Sequence, residues 1–230
     1  MTLEPFATPS GATCRIARAL AAMVVVGIMS APTVAAATIG TQNYPRLFGT
    51  TEVRSANLSP FPKWTGLLER YFDELDVPAG DCADANFNQC HLKYWGRFLD
   101  NLRDADPMVQ LRRIHSYMNE APYITDPRNW NMPDYWATPK QFFDRDGDCE
   151  DYAIAKFMSL RALGWNNDQL RVVIVQDLNL GIAHAILVAY HEGKAWVLDN
   201  QIGQIIRADR ILHYRPYYSI NEDGWWLHRS

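Results

Sequence analysis

Between Gly147 and Asn200 the chain changes period once, from a helical repeat to extended apolar runs, and this restricts it to folds in which a helix precedes a set of adjacent strands. Glu150 to Leu163 places Ala153, Ile154, Phe157, Met158 and Leu160 on a helical face and stops at Gly164, a residue free to take the left-handed turn that ends helices. Three strand-like runs follow: Arg171 to Gln176, Ile182 to Tyr190 and Ala195 to Asn200. The last two are joined by a short turn containing Gly193, which makes them an antiparallel hairpin. Pairing Tyr190 with Ala195 sets Ile186 opposite Asp199 and His184 opposite Gln201. His184 and Asp199 then share a face as diagonal neighbours, about 7–8 Å apart at the backbone, a gap that an imidazole and a carboxylate can bridge. A three-residue turn would break this register.

Upstream, helical periodicity dominates. Trp64, Leu67, Leu68, Tyr71, Phe72 and Leu75 form one stripe, and Leu92 to Leu102 carries Trp95, Phe98, Leu99 and Leu102 on a second. A third helix has Asp106 as cap, Pro107 in its first turn and Pro122 as its stop. From Pro122 to Gly147, prolines among Asn and Asp residues give a long irregular connection with one short helix at Pro139 to Phe143. Helices followed by hairpin strands predict an α+β fold, helices packed on an antiparallel sheet. A chain of 230 residues, 48% hydrophobic, suffices for one well-cored domain and is short for two. The net charge of -4 gives no electrostatic reason to expect nucleic acid or an anionic membrane surface as partner.

The N-terminus has the layout of a cleavable secretory signal. Arg15 and Arg18 precede the apolar run Ala19 to Met29, and small residues from Ala31 to Ala37 follow. The run is shorter than the roughly 20 apolar residues of a spanning helix, so cleavage after Ala37 is expected, with a single domain over 38–230 and no stable membrane insertion afterwards. Export governs the cysteines. Cys14 departs with the leader, and Cys82, Cys90 and Cys149 remain, an odd number in an oxidising compartment. Cys82 and Cys90 share one loop and are expected to pair, leaving Cys149 reduced; three reduced thiols, or a metal held by the loop pair with His91, are the alternatives.

Cys149 opens its helix, where unpaired N–H groups and the positive end of the helix dipole favour a thiolate. Asp148, Glu150 and Asp151 oppose this, because nearby carboxylates raise a thiol pKa unless a cation neutralises them. Each residue alone has a plainer reading: a small core cysteine, a satisfied strand histidine, an aspartate that starts a turn. Together Cys149, His184 and Asp199 supply nucleophile, base and orienter. Trp136, Asn131 and Gln141 in the preceding loop are candidates for a second oxyanion donor beside the N–H of Cys149.

The segments "GDCEDYAIAKFMSLRALG", "AHAILVAY", "VLDNQ" and "DYWATPKQFF" resemble the bacterial transglutaminase-like cysteine proteinases, in particular the LapG-type periplasmic proteases. The resemblance spans most of the chain after the leader. It implies a papain-like/transglutaminase-core fold with Cys149, His184 and Asp199 at the catalytic positions. It implies calcium dependence with Asp148 and Glu150 at metal positions, a large surface adhesin as substrate, biofilm dispersal on its release, and sequestration by a cyclic-di-GMP-responsive inner-membrane receptor. The residues also bear on calcium directly. Asp144, Asp146, Asp148, Glu150 and Asp151 present hard oxygens that suit calcium, and Asp148, Glu150 and Asp151 are the expected metal ligands. The spacing is not that of an EF-hand, since Cys149 falls where that loop needs glycine and Ala155 where it needs glutamate; a solvated acidic helix cap is the alternative. Two other function classes stay open: acyl transfer to an amine by the same three residues, and a non-catalytic periplasmic binding protein.

Overall fold

The computed structural model describes residues 44–75 and 87–229. The leader expected over 1–37 and Cys82 of the expected Cys82–Cys90 pair lie outside the described residues. Six α-helices are present among them: α1 (Pro62–Leu75), α2 (Phe87–Leu102), α3 (Pro107–Met118), α4 (Asp126–Asn129), α5 (Pro139–Arg145) and α6 (Cys149–Ala162). The strands are β1 (Thr51–Ser55), β2 (Leu170–Asp177), β3 (Ile182–His191), β4 (Lys194–Leu198), β5 (Ile206–Arg207), β6 (Tyr214–Asn221) and β7 (Gly224–Arg229). No helix among the described residues is long and apolar enough to cross a membrane.

The helix signals act where the sequence puts them. Asp106 accepts hydrogen bonds from the Met108 and Val109 N–H groups at the start of α3. Gly164 takes φ +93° after α6, and the Trp165 N–H closes that end on the Leu160 carbonyl. α4 was not expected, and α5 runs two residues beyond Phe143. The amphipathic face expected for α6 is replaced by burial all round: Asp151 to Leu160 are every one buried. This helix lies between the other helices and the sheet, so its polar positions are enclosed as well. Each large apolar side chain buried along it stabilises the fold by about 1.5–3 kcal/mol.

All seven strands form one antiparallel sheet in the order β1-β7-β6-β2-β3-β4-β5. Glu192 (φ 49°) and Gly193 (φ 69°) make the β3–β4 turn, a two-residue connection with both φ positive. Tyr190 therefore pairs with Ala195 and Leu187 with Leu198, the expected register. Period-2 alternation divides the core between the two faces. Leu170, Val172, Leu187, Ala189 and Leu198 pack with the helices, whereas Val173, Val175, Ile186, Val188, Tyr190 and Val197 pack with Leu47, Ile211 and Tyr214 on the opposite face.

Candidate active site

β3 and β4 bring His184 and Asp199 together. His184 Nε2 lies 2.9 Å from Asp199 Oδ1, and both residues are buried. Oδ1 also accepts the Gln201 N–H at 2.8 Å, and Oδ2 accepts the Tyr214 hydroxyl at 2.5 Å. The Asp199 carbonyl accepts at 3.1 Å from Nδ2 of Asn119, the residue that follows α3. Burial works to raise the Asp199 pKa, but the bonds from His184, Tyr214 and Gln201 outweigh it, and the carboxyl is held below its ordinary range. With Nε2 turned to a carboxylate, the proton sits on Nε2 and Nδ1 is the basic nitrogen; the Gln201 amide covers it at 3.4 Å. Tyr214 and Gln201 were not singled out from the sequence. Gln201 was legible there as the residue opposite His184, and Tyr214 only through the β2–β6 pairing, which sets it beside Asp177.

Cys149 is the first residue of α6 and its thiol is free. It stands against β3, where the Ala185 N–H, next in sequence to His184, points to the sulfur. Sγ donates to Glu150 Oε2 at 3.3 Å, and among the described residues no hydrogen bond joins it to His184. Burial and the Glu150 charge push the thiol pKa well up, and the Ala185 N–H pulls it down. Two of the suggested oxyanion donors are otherwise engaged, and the third lies on the surface. Gln141 completes the Thr138 capping box and bonds Tyr135, and Trp136 packs in the core against Trp64. Asn131 adopts a left-handed turn at φ 53° on the surface.

The carboxylates around Cys149 divide by role. Asp151 is fully buried and bonds backbone only, the Ala137 N–H at 2.7 Å and the Asp148 N–H at 3.3 Å. A Cβ at Gly147 would overlap this carboxylate, so glycine is required by space. Asp148 caps α6 and accepts the Asp126 N–H at 3.2 Å on Oδ2, while its Oδ1 has no partner. Asp126 opens α4, accepts the Tyr135 N–H on Oδ2 and likewise leaves Oδ1 without a partner. One ligand atom from each of Asp126, Asp148 and Asp151 falls within 4.8 Å of the others, as does one from each of Asp148, Cys149 and Glu150, and from each of Asp126, Asp134 and Glu150. Asp144 and Asp146 are in none of these groups.

Crowding makes the negative charges costly. Burial, then the neighbouring carboxylates of Asp148 and Asp151, push Glu150 up to about 10. Burial chiefly raises Asp126 to about 6 and lifts Asp151 well above the carboxylate range. Two buried oxygens without donors among five converging carboxyl groups fit a hard, oxygen-seeking cation such as calcium. Asp126 carried no local signal for this. It reaches the site because the Tyr123–Gly147 bridge and the Ile124 N–H bond to the Gly147 carbonyl lay its loop against the start of α6.

This arrangement has known counterparts. The family of bacterial transglutaminase-like cysteine proteinases (BTLCP) matches residues 78–227. The chain belongs to that family. LapG of Legionella pneumophila in its calcium-bound form is 32% identical, with TM-score 0.58, over 70% of this proteinase and 87% of LapG. The EGTA-treated form of LapG gives 32% identity and TM-score 0.58 over 71% and 86%. No curated protein matches the sequence. The proteinase has the α+β, transglutaminase-like fold read from its sequence, and it is a cysteine protease of the LapG type.

Proposed function

We propose that the chain is a calcium-dependent periplasmic cysteine endopeptidase that cleaves the N-terminal region of a large cell-surface adhesin, with Cys149 as nucleophile, His184 as base and Asp199 as orienter of that base. The observation that carries the assignment of roles is the buried His184 Nε2–Asp199 Oδ1 contact, locked by Tyr214 and Gln201, one residue from the N–H that meets the Cys149 sulfur.

In the reaction His184 Nδ1 takes the Cys149 proton, which requires the thiol to turn from Glu150 and the Gln201 amide to yield its place. Sulfur attacks the scissile carbonyl carbon, and the oxyanion meets the unpaired N–H at the start of α6. Collapse breaks the C–N bond as the Nδ1 proton passes to the leaving amine. Water, activated by the same nitrogen, then hydrolyses the thioester. Asp199 keeps its charge throughout and stabilises the imidazolium.

Calcium is supported by the two partnerless oxygens of Asp126 and Asp148 and by the calcium-bound form of the related LapG. Asp126, Asp148 and Glu150 would hold it directly, with Asp151 bracing the turn through its backbone bonds. Bound there, it would supply positive charge that offsets the carboxylates flanking the thiol. Export to the periplasm rests on the leader-like N-terminus. A cyclic-di-GMP-responsive inner-membrane receptor as regulatory partner, and biofilm dispersal as the outcome, rest on family resemblance. The deciding experiment incubates the purified chain with the N-terminal region of a large adhesin from the same organism, with calcium and with EGTA, and identifies the products by mass. Two fragments, absent with Cys149→Ala, are expected. Uncut adhesin, cleavage by Cys149→Ala, or transfer to an added amine without hydrolysis would overturn the proposal.

A further inference from the structure

Met108, Arg112, His115 and Ser116 share one face of α3, and Trp196 of β4 with the 203–205 segment faces them across a pocket of about 300 Å³. Met108, Trp196 and Ile205 are partly buried against the helical-side core and supply its apolar surface. Arg112, Ser116 and Gln204 are exposed at its rim, and the His115 ring is buried. None of the residues proposed for catalysis or calcium lines it.

The polar groups here are biased toward donors. The Arg112 guanidinium and the Trp196 indole N–H can only donate, and neither has an acceptor or an ion pair among the described residues. An arginine on a solvated helix face needs no ligand. What sets Arg112 apart is the indole N–H lining the same pocket, shut from water and unpaired, which is a costly state for a donor. Burial and the Lys156 charge push His115 down to about 4 against the pull of the Ile202 and Gly203 carbonyls, so the ring is neutral. Arg112 is then the one charged side chain lining the pocket, with no carboxylate among its neighbours there. The walls are set in advance. Asn119, 3.4 Å from the His115 ring, is anchored on the Asp199 carbonyl at 3.1 Å, and the Gln201 N–H ties the root of the 203–205 segment to Asp199 Oδ1 at 2.8 Å. A pocket with fixed walls loses less affinity to ordering on binding.

We infer that this pocket is a ligand site, separate from the peptide-cleaving centre, for a small carboxylate carried on an apolar body. Arg112 and Trp196 Nε1 donate to the carboxylate, the planar guanidinium matching its two oxygens, and Met108 and Ile205 cover the body. Small-molecule sites span about 300–1,000 Å³, so a pocket at the lower end limits the body to roughly one aromatic ring or a short alkyl chain. Phosphate would meet the same guanidinium and leave the apolar surface wet. A neutral amide would cover that surface and leave the guanidinium without its counter-charge. The site stands on this geometry and is independent of the roles proposed above for Cys149, His184 and Asp199.

The test titrates the calcium-loaded protein with phenylacetate, with phenylacetamide and with inorganic phosphate, and follows the indole N–H resonances by NMR. The Trp196 signal is identified by its loss in Trp196→Phe. Phenylacetate is expected to move that signal to saturation with a Kd on the order of 1–10 mM, as suits so small a probe. Phenylacetamide and phosphate should bind roughly ten-fold more weakly or less, and so should phenylacetate with Arg112→Gln, a substitution at an exposed position that leaves the fold intact. The inference fails if phenylacetate does not saturate the Trp196 signal by about 50 mM. It fails equally if the amide or phosphate binds as well, if Arg112→Gln keeps the affinity, or if other indole signals move while that of Trp196 stays still.

Discussion

Replacing Tyr214 by phenylalanine isolates one of the bonds that hold Asp199 ionised. The hydroxyl lies 2.5 Å from Oδ2, and both residues are buried, so the deleted donor leaves a carboxylate oxygen with no replacement from solvent. The ring contact with Phe48, at 6.1 Å between centroids, survives the substitution. A hydrogen bond to a charged group contributes about 1.5–3 kcal/mol, which at about 1.4 kcal/mol per unit lifts the Asp199 pKa by about 1–2 units. In the wild type that pKa is depressed, so the stabilisation from Asp199 ionisation is present above the unfolded value and is lost as pH falls through the folded one. Tyr214→Phe should therefore be less stable than wild type by about 1.5–3 kcal/mol at neutral pH. The gap should shrink as pH falls below the raised pKa of the variant and should be smallest where both carboxyls are protonated. Urea unfolding midpoints measured at a series of pH values from 7 downward provide the check. A gap that stays constant with pH would mean that the hydroxyl acts through packing, and a gap under about 0.5 kcal/mol would mean that the carboxylate does not depend on it.

Three further outcomes are expected. EGTA should lower the melting temperature and stop proteolysis, calcium should restore both, and magnesium should restore them poorly because its stricter octahedral shell suits this cradle badly; full activity of Asp148→Ala in EGTA would remove calcium from the account. In EGTA, Asp126 has a raised pKa, so its contribution favours the fold below the unfolded value and fades as pH rises through about 6; Asp126→Asn should flatten that part of the stability profile and be the more stable protein at pH 7, as thermal unfolding across pH would show. Gly147→Ala should displace the Asp151 carboxylate from the Ala137 and Asp148 N–H groups and cost about 2–4 kcal/mol in denaturant titrations, whereas an unchanged midpoint would show that the turn can move aside.

Much of the fold and half of the site were legible in the sequence because their signals are local. The stripes of α1 and α3, the Asp106 cap, the Gly164 stop of α6 and the Glu192–Gly193 turn each depend on a few consecutive residues. Once the turn is two residues long, the β3–β4 register follows, and with it the meeting of His184 and Asp199. What the sequence withheld depends on pairing between distant segments. β1 is half exposed and takes its register from β7 near the other end of the chain, so its five residues carry too little pattern to be recognised as a strand. β6 reaches the site only as the neighbour of β2, and only there does Tyr214 meet Asp199. The same holds for Asp126, carried to Asp148 by the Tyr123–Gly147 bridge, and for Lys156, which a helical repeat would assign to a polar face. Periodicity encodes which side of an element is apolar. Which other element covers it, and which charges are then shut away from water together, is decided by the tertiary structure, because the free energy of enclosing a charge depends on neighbours far away in sequence.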